Sequence, residues 1–429
     1  MFRTSIFRSF LTIGILLGVV LSLLFTFYSH AQAAMATQFD TEQLWGTTSN
    51  AYWEPTIAAD PSSNWVYQLT TNTSASQILF RSSSDGGNTW GSSVNICLKG
   101  TPWQYDPQIK VANDGTIYVA CLNGYNNPGI VFARSDDHGV TWTTSLPIEG
   151  KLNYGDKPIL IVSGNGADVY IGFNAKLAFY VAVSHDSGNS FAAPMLATTE
   201  SLWYYSYGGI VAPNGIAYFA VGGETTIHAK QTGPTNVELL SSNDGGNTWS
   251  DHFFATGQEG AACNVKNCYP DFYDPQDTIT ADTHGNLLFT YTKNDVVQGN
   301  NSLYVSRSTD GVNWTTPVVI NALGNSTSPE LGTGPTPGDF RIVWQDNRNG
   351  TTAWNTWYAS SINGGVTWSR AVRLSNLGSG PSYKSSLGYQ FPFGDYMGLS
   401  VNSAGVNFVI WGEGADVYAD GGTWYTREK

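Results

Sequence analysis

Past residue 40 the chain alternates short apolar runs with turn residues, and no stretch keeps the 3.6-residue spacing of an amphipathic helix. Typical segments are DPQIKVANDGTIYVA from Asp106 and YGGIVAPNGIAYFA from Tyr207. Each reads as an apolar strand, a Gly-centred turn and a second apolar strand. β-Branched and aromatic residues fill the runs, while Gly, Asn and Asp fill the breaks. The pattern predicts an all-β chain. Innermost strands of this kind are predicted to begin near Glu54, Asp106, Asp156, Tyr207, Asp274, Glu330 and Asp395.

A second phrase recurs downstream of these pairs. Ser83–Trp90 reads SSDGGNTW, and Ser242–Trp249 reads SNDGGNTW. Variants start at Ser135, Ser184, Ser308 and Ser361, so the key acidic position is Asp85, Asp137, Asp186, Asp244, Asp310 and, in the last copy, Asn363. Spacings of 49 to 66 residues fit one supersecondary unit per copy. The fragment Asp420–Trp424 is a candidate seventh. The mechanics are those of a turn: a short Asp side chain accepts backbone N–H groups, Gly allows positive φ, and Trp packs on a neighbouring sheet.

This Ser-x-Asp-x-Gly-x-Thr-Trp phrase resembles the Asp box of sialidases and related bacterial-neuraminidase-repeat propellers. The resemblance implies a β-propeller of four-stranded antiparallel blades, with the box between third and fourth strands. Seven inner strands against six boxes suggest seven blades, the last ending after its third strand at TWYTREK. The segment FDTEQLW would then supply the missing outer strand and close the ring. Six blades is the alternative. Residues 37–429 are expected to form one domain.

In such a propeller the boxes lie on one face and the loops entering each inner strand on the other. Those loops carry Trp53, Trp103, Tyr105, Tyr154, Trp203 and Tyr273, with Glu54, Asp106, Asp156, Asp274 and Asp395 beside them. Aromatic faces stack on sugar rings, and paired carboxylates are the tools of glycoside hydrolysis. The plainer alternative is that each acid caps its own strand. Glu224, Glu413 and Asp346, in loops after second strands, lack counterparts in most blades. The resemblance implies a hydrolase acting on sialic acids or related sugars, with three arginines, a Tyr–Glu pair and an Asp acid/base. Tyr396 or Tyr273 with Glu413 or Glu224 are the candidates for the pair. The arginine motif is missing: the matching stretch is Tyr52-Trp53-Glu54-Pro55-Thr56-Ile57, and Arg348 is the one arginine placed in a loop on that face. A glycan-binding or protein-binding propeller without catalysis is the alternative function.

The chain ends add context. Arg3 and Arg8 precede the apolar run Phe10–Tyr28, and Ala31-Gln32-Ala33 offers a cleavage pattern. Residues 1–33 read as a signal peptide or, by length, an N-terminal anchor. Export would leave 18 Lys+Arg against 33 Asp+Glu, a charge of −15. So acidic a surface argues against nucleic acid and anionic membrane as partners. Four cysteines in an exported chain suggest Cys263–Cys268 and Cys97–Cys121, although three connectivities are open. No nucleophile elbow, phosphate loop or zinc-protease motif occurs, so no cofactor is expected and metal is left unassigned. A secreted monomer facing an extracellular glycan is the resulting expectation.

Overall fold

The computed structural model describes residues 37–47, 52–97, 104–124, 129–145, 148–152, 154–227, 230–260, 275–350, 354–376, 397–413 and 422–429. Among them, 28 strands form seven four-stranded antiparallel sheets, with no helix. Blade 1 consists of Tyr52–Ala59, Val66–Asn72, Gln77–Ser83 and Val94–Asn95. Blades 2 to 6 open with Gln104–Val111, Asp156–Val162, Trp203–Val211, Asp277–Ala281 and Ser326–Thr333. Blade 7 takes Gly398–Val401, Asn407–Glu413 and Gly422–Arg427 from the C-terminal end of the chain. Its outer strand is Gln43–Trp45, from the other end of the sequence, with Leu44 opposite Trp424. The ring therefore closes as the strand count predicts, with seven blades and not six, and no blade is left short of an outer strand.

The hydrophobic core lies in the seams between blades. Ile57, Phe408, Ile410 and Tyr425 share one cluster across blades 1 and 7, and Tyr67, Phe80, Ile109 and Val119 share another across blades 1 and 2. The boxes bind this stack together. In the first, Asp85 Oδ1 accepts the Thr89 N–H at 2.9 Å, and Oδ2 accepts Thr89 Oγ1 at 2.6 Å. Ser83 Oγ accepts the Gly87 N–H at 2.9 Å. The aromatic that ends each box then meets the preceding blade: Trp142 lies edge-on to Phe80 at 5.1 Å, and Phe191 to Phe132 at 5.1 Å. Gly422–Trp424 is a correction to the repeat reading. These residues begin the third strand of blade 7 at the rim, where Gly422 pairs with Glu413, whereas a box turn follows a third strand at the base.

The Cys97–Cys121 disulfide is present and ties the outer edge of blade 1 to the second strand of blade 2. Cys263, Cys268, the Phe10–Tyr28 run and Ala31–Ala33 lie outside the described residues. A polar side chain from the chain beyond the third strand also accepts the N–H of that strand's second residue in several blades. Gln104 Oε1 accepts Ile78 N–H at 2.8 Å, Glu149 Oε2 accepts Ile130 N–H at 2.8 Å, and Thr198 Oγ1 accepts Phe179 N–H at 3.1 Å.

Candidate functional site

Strand register fixes the two ends of every blade. In blade 1 Ala59 pairs with Val66 and Val66 with Ser83, whereas Tyr52 pairs with Asn72 and Asn72 with Gln77. In blade 2 Val111, Ile117 and Ser135 are level, and Gln104, Asn123 and Gly129 are level. The boxes thus form the base of the ring. Glu54, Asp106 and the ends of the second strands form the opposite rim.

At the rim the inner strands are strained in a repeated way. Glu54 has φ 51°, Asp106 54°, Lys157 49° and Ser328 50°, and each precedes a proline at a break in register. Non-glycine residues seldom adopt positive φ, and such strain persists only where its surroundings hold it. Two of these backbones are held by a side chain from the preceding blade. Glu54 Oε2 accepts the Asp106 N–H at 2.9 Å, and Gln276 Oε1 accepts the Ser328 N–H together with Thr327 Oγ1 at 2.8 Å. Counted from the first hairpin of each blade, Gln276 fills the place of Glu54. The same count corrects the repeat alignment in blade 3. Lys157, not Asp156, matches Asp106, because the proline and the bulge set the phase and the acid does not.

The acids expected at this rim fall into different environments. Glu54 and Asp106 are buried, at 4% and 3% exposure. Tyr105 lies against both, and burial with those two carboxyls pushes its hydroxyl up to about 12. Its ring meets Trp53 edge-on at 5.6 Å. Asp156 is half-buried and accepts the Lys157 N–H at 3.0 Å. Glu224 is buried, with Tyr205 Oη donating to it at 3.5 Å, and Trp203 lies 6.4 Å from the Tyr205 ring. Tyr154 is exposed. Trp103, Tyr273, Asp274, Asp395 and Tyr396 lie outside the described residues.

Glu413 and Asp346 share a local device. Each ends a second strand two residues after a tryptophan whose indole N–H donates back to it. Trp411 Nε1 reaches Glu413 Oε2 at 2.8 Å, and Trp344 Nε1 reaches Asp346 Oδ2 at 2.7 Å. Their partners then differ. Asp346 is closed off by Arg348, whose Nη2 lies 2.5 Å from Oδ2, and by Asn321 Nδ2 at 3.1 Å. Arg348 in turn lies over the Trp357 ring at 3.9 Å. This ion pair consumes the arginine's fork, so the rim offers from Arg348 no free guanidinium. Glu413 makes no ion pair among the described residues. Burial raises its pKa well above the carboxylate range, with Glu42 adding to the shift and the Trp411 bond and the Arg373 charge opposing it. Its strand runs beside Tyr52–Ala59 of blade 1, sharing Ile57, Phe408 and Ile410 in one cluster. Glu413 alternates with Val409 and Trp411, which pack on Val343 and Tyr358 of blade 6, whereas the Glu54 carboxyl reaches the Asp106 N–H of blade 2, so the two stand at the rim in different seams.

Down the axis runs a cavity of about 280 Å³, lined by all seven inner strands. Glu330 and Lys110 both line it, and burial raises Glu330 to about 8 against the opposing pull of Lys110. Sequence reading missed both, along with Gln276. Their signal is only positional: Glu330 and Gln276 each stand one residue after a proline, and Lys110 three residues after one.

With this geometry the chain is a sialidase-like β-propeller. Residues 31–279 match the BNR repeat-like domain, and the chain belongs to that family. Among solved structures it is similar to a protein of unknown function from Dyadobacter fermentans DSM 18053. The identity is 14% and the TM-score 0.54, over 92% of this chain and 99% of the other. It is similar to a PL25 ulvan lyase at 11% identity and TM-score 0.53, over 89% and 95% of the two chains. A Hadza microbial sialidase, Hz136, aligns at 15% identity and TM-score 0.48, over 85% and 76%. These likenesses are of fold. No curated protein matches the sequence.

Proposed function

We propose that this chain acts on a glycan at the rim opposite the Asp boxes, as a glycoside hydrolase with Glu413 as proton donor. The observation that carries the reading is a buried carboxyl at the rim, Glu413, that has no ion pair among the described residues. Burial raises the Glu413 carboxyl well above the usual carboxylate range, while Glu54 accepts the Asp106 N–H. A carboxyl raised in this way keeps its proton near neutral pH, as the acid of a glycoside hydrolase must. Tyr105, half-buried beside Glu54, and the exposed Tyr154 add aromatic surface of the kind sugars stack on. The ulvan lyase, which by its name acts on a polysaccharide, shares the fold. An extracellular setting accords with the apolar run at Phe10–Tyr28 and with the Cys97–Cys121 disulfide.

A sialic-acid substrate is not part of this reading, since Arg348 is engaged by Asp346 and the stretch Tyr52–Ile57 has no arginine. Neutral or differently charged glycans are the first to test. The experiment is a reducing-end release assay over a panel of oligosaccharides, with Glu413→Gln as the control. Gln keeps an oxygen for the Trp411 N–H but has no acidic proton. The expected loss in kcat is about 10²-fold or more, with unfolding temperature unchanged. An unchanged rate would remove Glu413 from the chemistry.

A second reading, binding without hydrolysis, is favoured by how tightly Glu54 and Asp346 are engaged within the protein. It predicts glycan-array binding that Tyr154→Ala weakens, with no product release from any bound sugar.

A further inference from the structure

The inner strands meet around the axial cavity of about 280 Å³, and one level of its wall is polar. Counted from the residue that closes each first hairpin at the base, Thr56, Gln108, Thr278 and Glu330 all stand three places toward the rim. Gly208 and Gly398 hold the same place in blades 4 and 7, so no side chain fills the space there. A Cβ on Gly208 would come within 2.0 Å of Thr278 Oγ1, which puts the two neighbours in contact around the ring. Lys110 and Thr280 stand two residues nearer the base, about 7 Å along the strand. Glu330 belongs to blade 6 and Lys110 to blade 2, three places apart in a ring of seven, so they enter the cavity from far sides.

All six polar side chains line this one cavity, and none makes a hydrogen bond or ion pair with the described residues. Gln108, Thr278 and Thr280 are buried, and Glu330 and Lys110 are half-buried and open to the cavity. Native folds seldom enclose polar groups without partners, so six around one space call for an occupant. Burial raises Glu330 to about 8 against the pull of Lys110, so near neutral pH its carboxyl keeps the proton and donates. Lys110 is then the one charged group on the wall. Water satisfies hydroxyls and an amide but brings no countercharge to an ammonium. The volume is close to the lower bound of small-molecule sites, about 300 Å³. We propose that the axial cavity is a second binding site, for a small carboxylate carrying several hydroxyls, with its charge on Lys110 and its hydroxyls on Thr56, Gln108, Thr278 and Glu330. This level is that of Gly398, which pairs with Ile410, three residues from Glu413 on the same strand. The site therefore lies about 10 Å nearer the base than the rim carboxyl.

The test is isothermal titration calorimetry of the full chain with D-gluconate as the probe. D-Sorbitol is its uncharged counterpart, and acetate is the anion without hydroxyls. Saturable binding of one gluconate per chain is expected, about tenfold or more tighter than either control. Lys110→Met keeps the stem and removes the charge, and should weaken binding roughly tenfold or more at an unchanged unfolding temperature. Should that variant fail to fold, Lys110→Gln takes its place. Binding by the wild type should weaken as pH rises through about 8, where an ionised Glu330 opposes the anion. Glu330→Gln should bind as the wild type does at about pH 6 and hold that affinity at about pH 9; Lys110 and Tyr207 are the other titratable groups on the wall. The inference is overturned if the wild type binds none of the three probes, its cavity then holding water alone. Equal affinity for sorbitol or acetate overturns it as well, as does a Lys110→Met protein that binds gluconate like the wild type, which would put the probe elsewhere. Because the readout is binding of a probe and not turnover of a glycan, a failure here is distinct from failure of the hydrolase reading.

Discussion

Single residues in this ring answer to the blade before them as much as to their own turn. Gly139 shows why the box needs glycine at its fifth place. Its φ is 86°, and a Cβ there would come within 2.3 Å of the Phe80 ring in blade 1. Gly188 repeats this against Phe132. Gly139→Ala is expected to destabilise the protein by about 2–5 kcal/mol, combining backbone strain with overpacking. Chemical denaturation of the variant beside the wild type measures it. Titratable residues split into two groups of opposite sign. The box carboxyls Asp85, Asp137, Asp186 and Asp244 are held down at about 2 by their Thr or Ser hydroxyl and backbone N–H bonds. A depressed carboxyl supports the fold above its unfolded pKa near 4, and that support is lost as pH falls toward 2. Glu149 is the reverse: burial raises it to about 7, against the Ile130 N–H. Its support is full below about 4.5 and is lost as pH rises through 7. Unfolding temperature against pH should therefore fall between pH 5 and 8 in the wild type more steeply than in Glu149→Gln, which cannot ionise. Parallel curves would show that Glu149 does not titrate in that window.

At the scale of elements, the decisive one is the shortest. Gln43–Trp45 has three residues, yet it is the outer strand of blade 7 and the closure of the ring. Trp45 also carries Arg81 over its ring at 4.2 Å and donates from Nε1 to Ser93 Oγ at 3.0 Å, so it links to blade 1. Leu44→Pro removes a donor where Leu44 faces Trp424 and leaves Gly422–Arg427 as an open edge. The expected outcome is a lower unfolding temperature and concentration-dependent aggregation by light scattering. A variant as stable and as monodisperse as the wild type would show that the closure contributes little. The elements were also what the sequence made most legible. Six boxes and seven inner strands are periodic signals, and each repeats the same turn chemistry, so errors in one copy are corrected by the others. Where a copy lacked its partner strand the reading slipped, as with Gly422–Trp424. Where an acid drew attention from a proline it slipped by one residue, as with Asp156 and Lys157.

For the molecule as a whole, the fold was readable and the working groups only partly so. Residue type showed that acids and aromatics crowd the rim. It could not show that Arg348 is spent on Asp346, or that Gln276 does in blade 5 what Glu54 does in blade 1. Those facts depend on which neighbour a side chain meets across a seam, and a seam joins residues some 50 positions apart, as with Glu54 and Asp106. The account rests on a division of labour between the two ends of the ring, scaffold at the base and chemistry at the rim. The most direct measurement compares Glu413→Gln at the rim with Asp137→Asn at the base, each folded, for glycan affinity and rate of product release. The account predicts that Glu413→Gln loses activity at retained stability while Asp137→Asn loses stability at retained specific activity. The opposite assignment, with specific activity lost from the base variant and untouched in the rim variant, would contradict it.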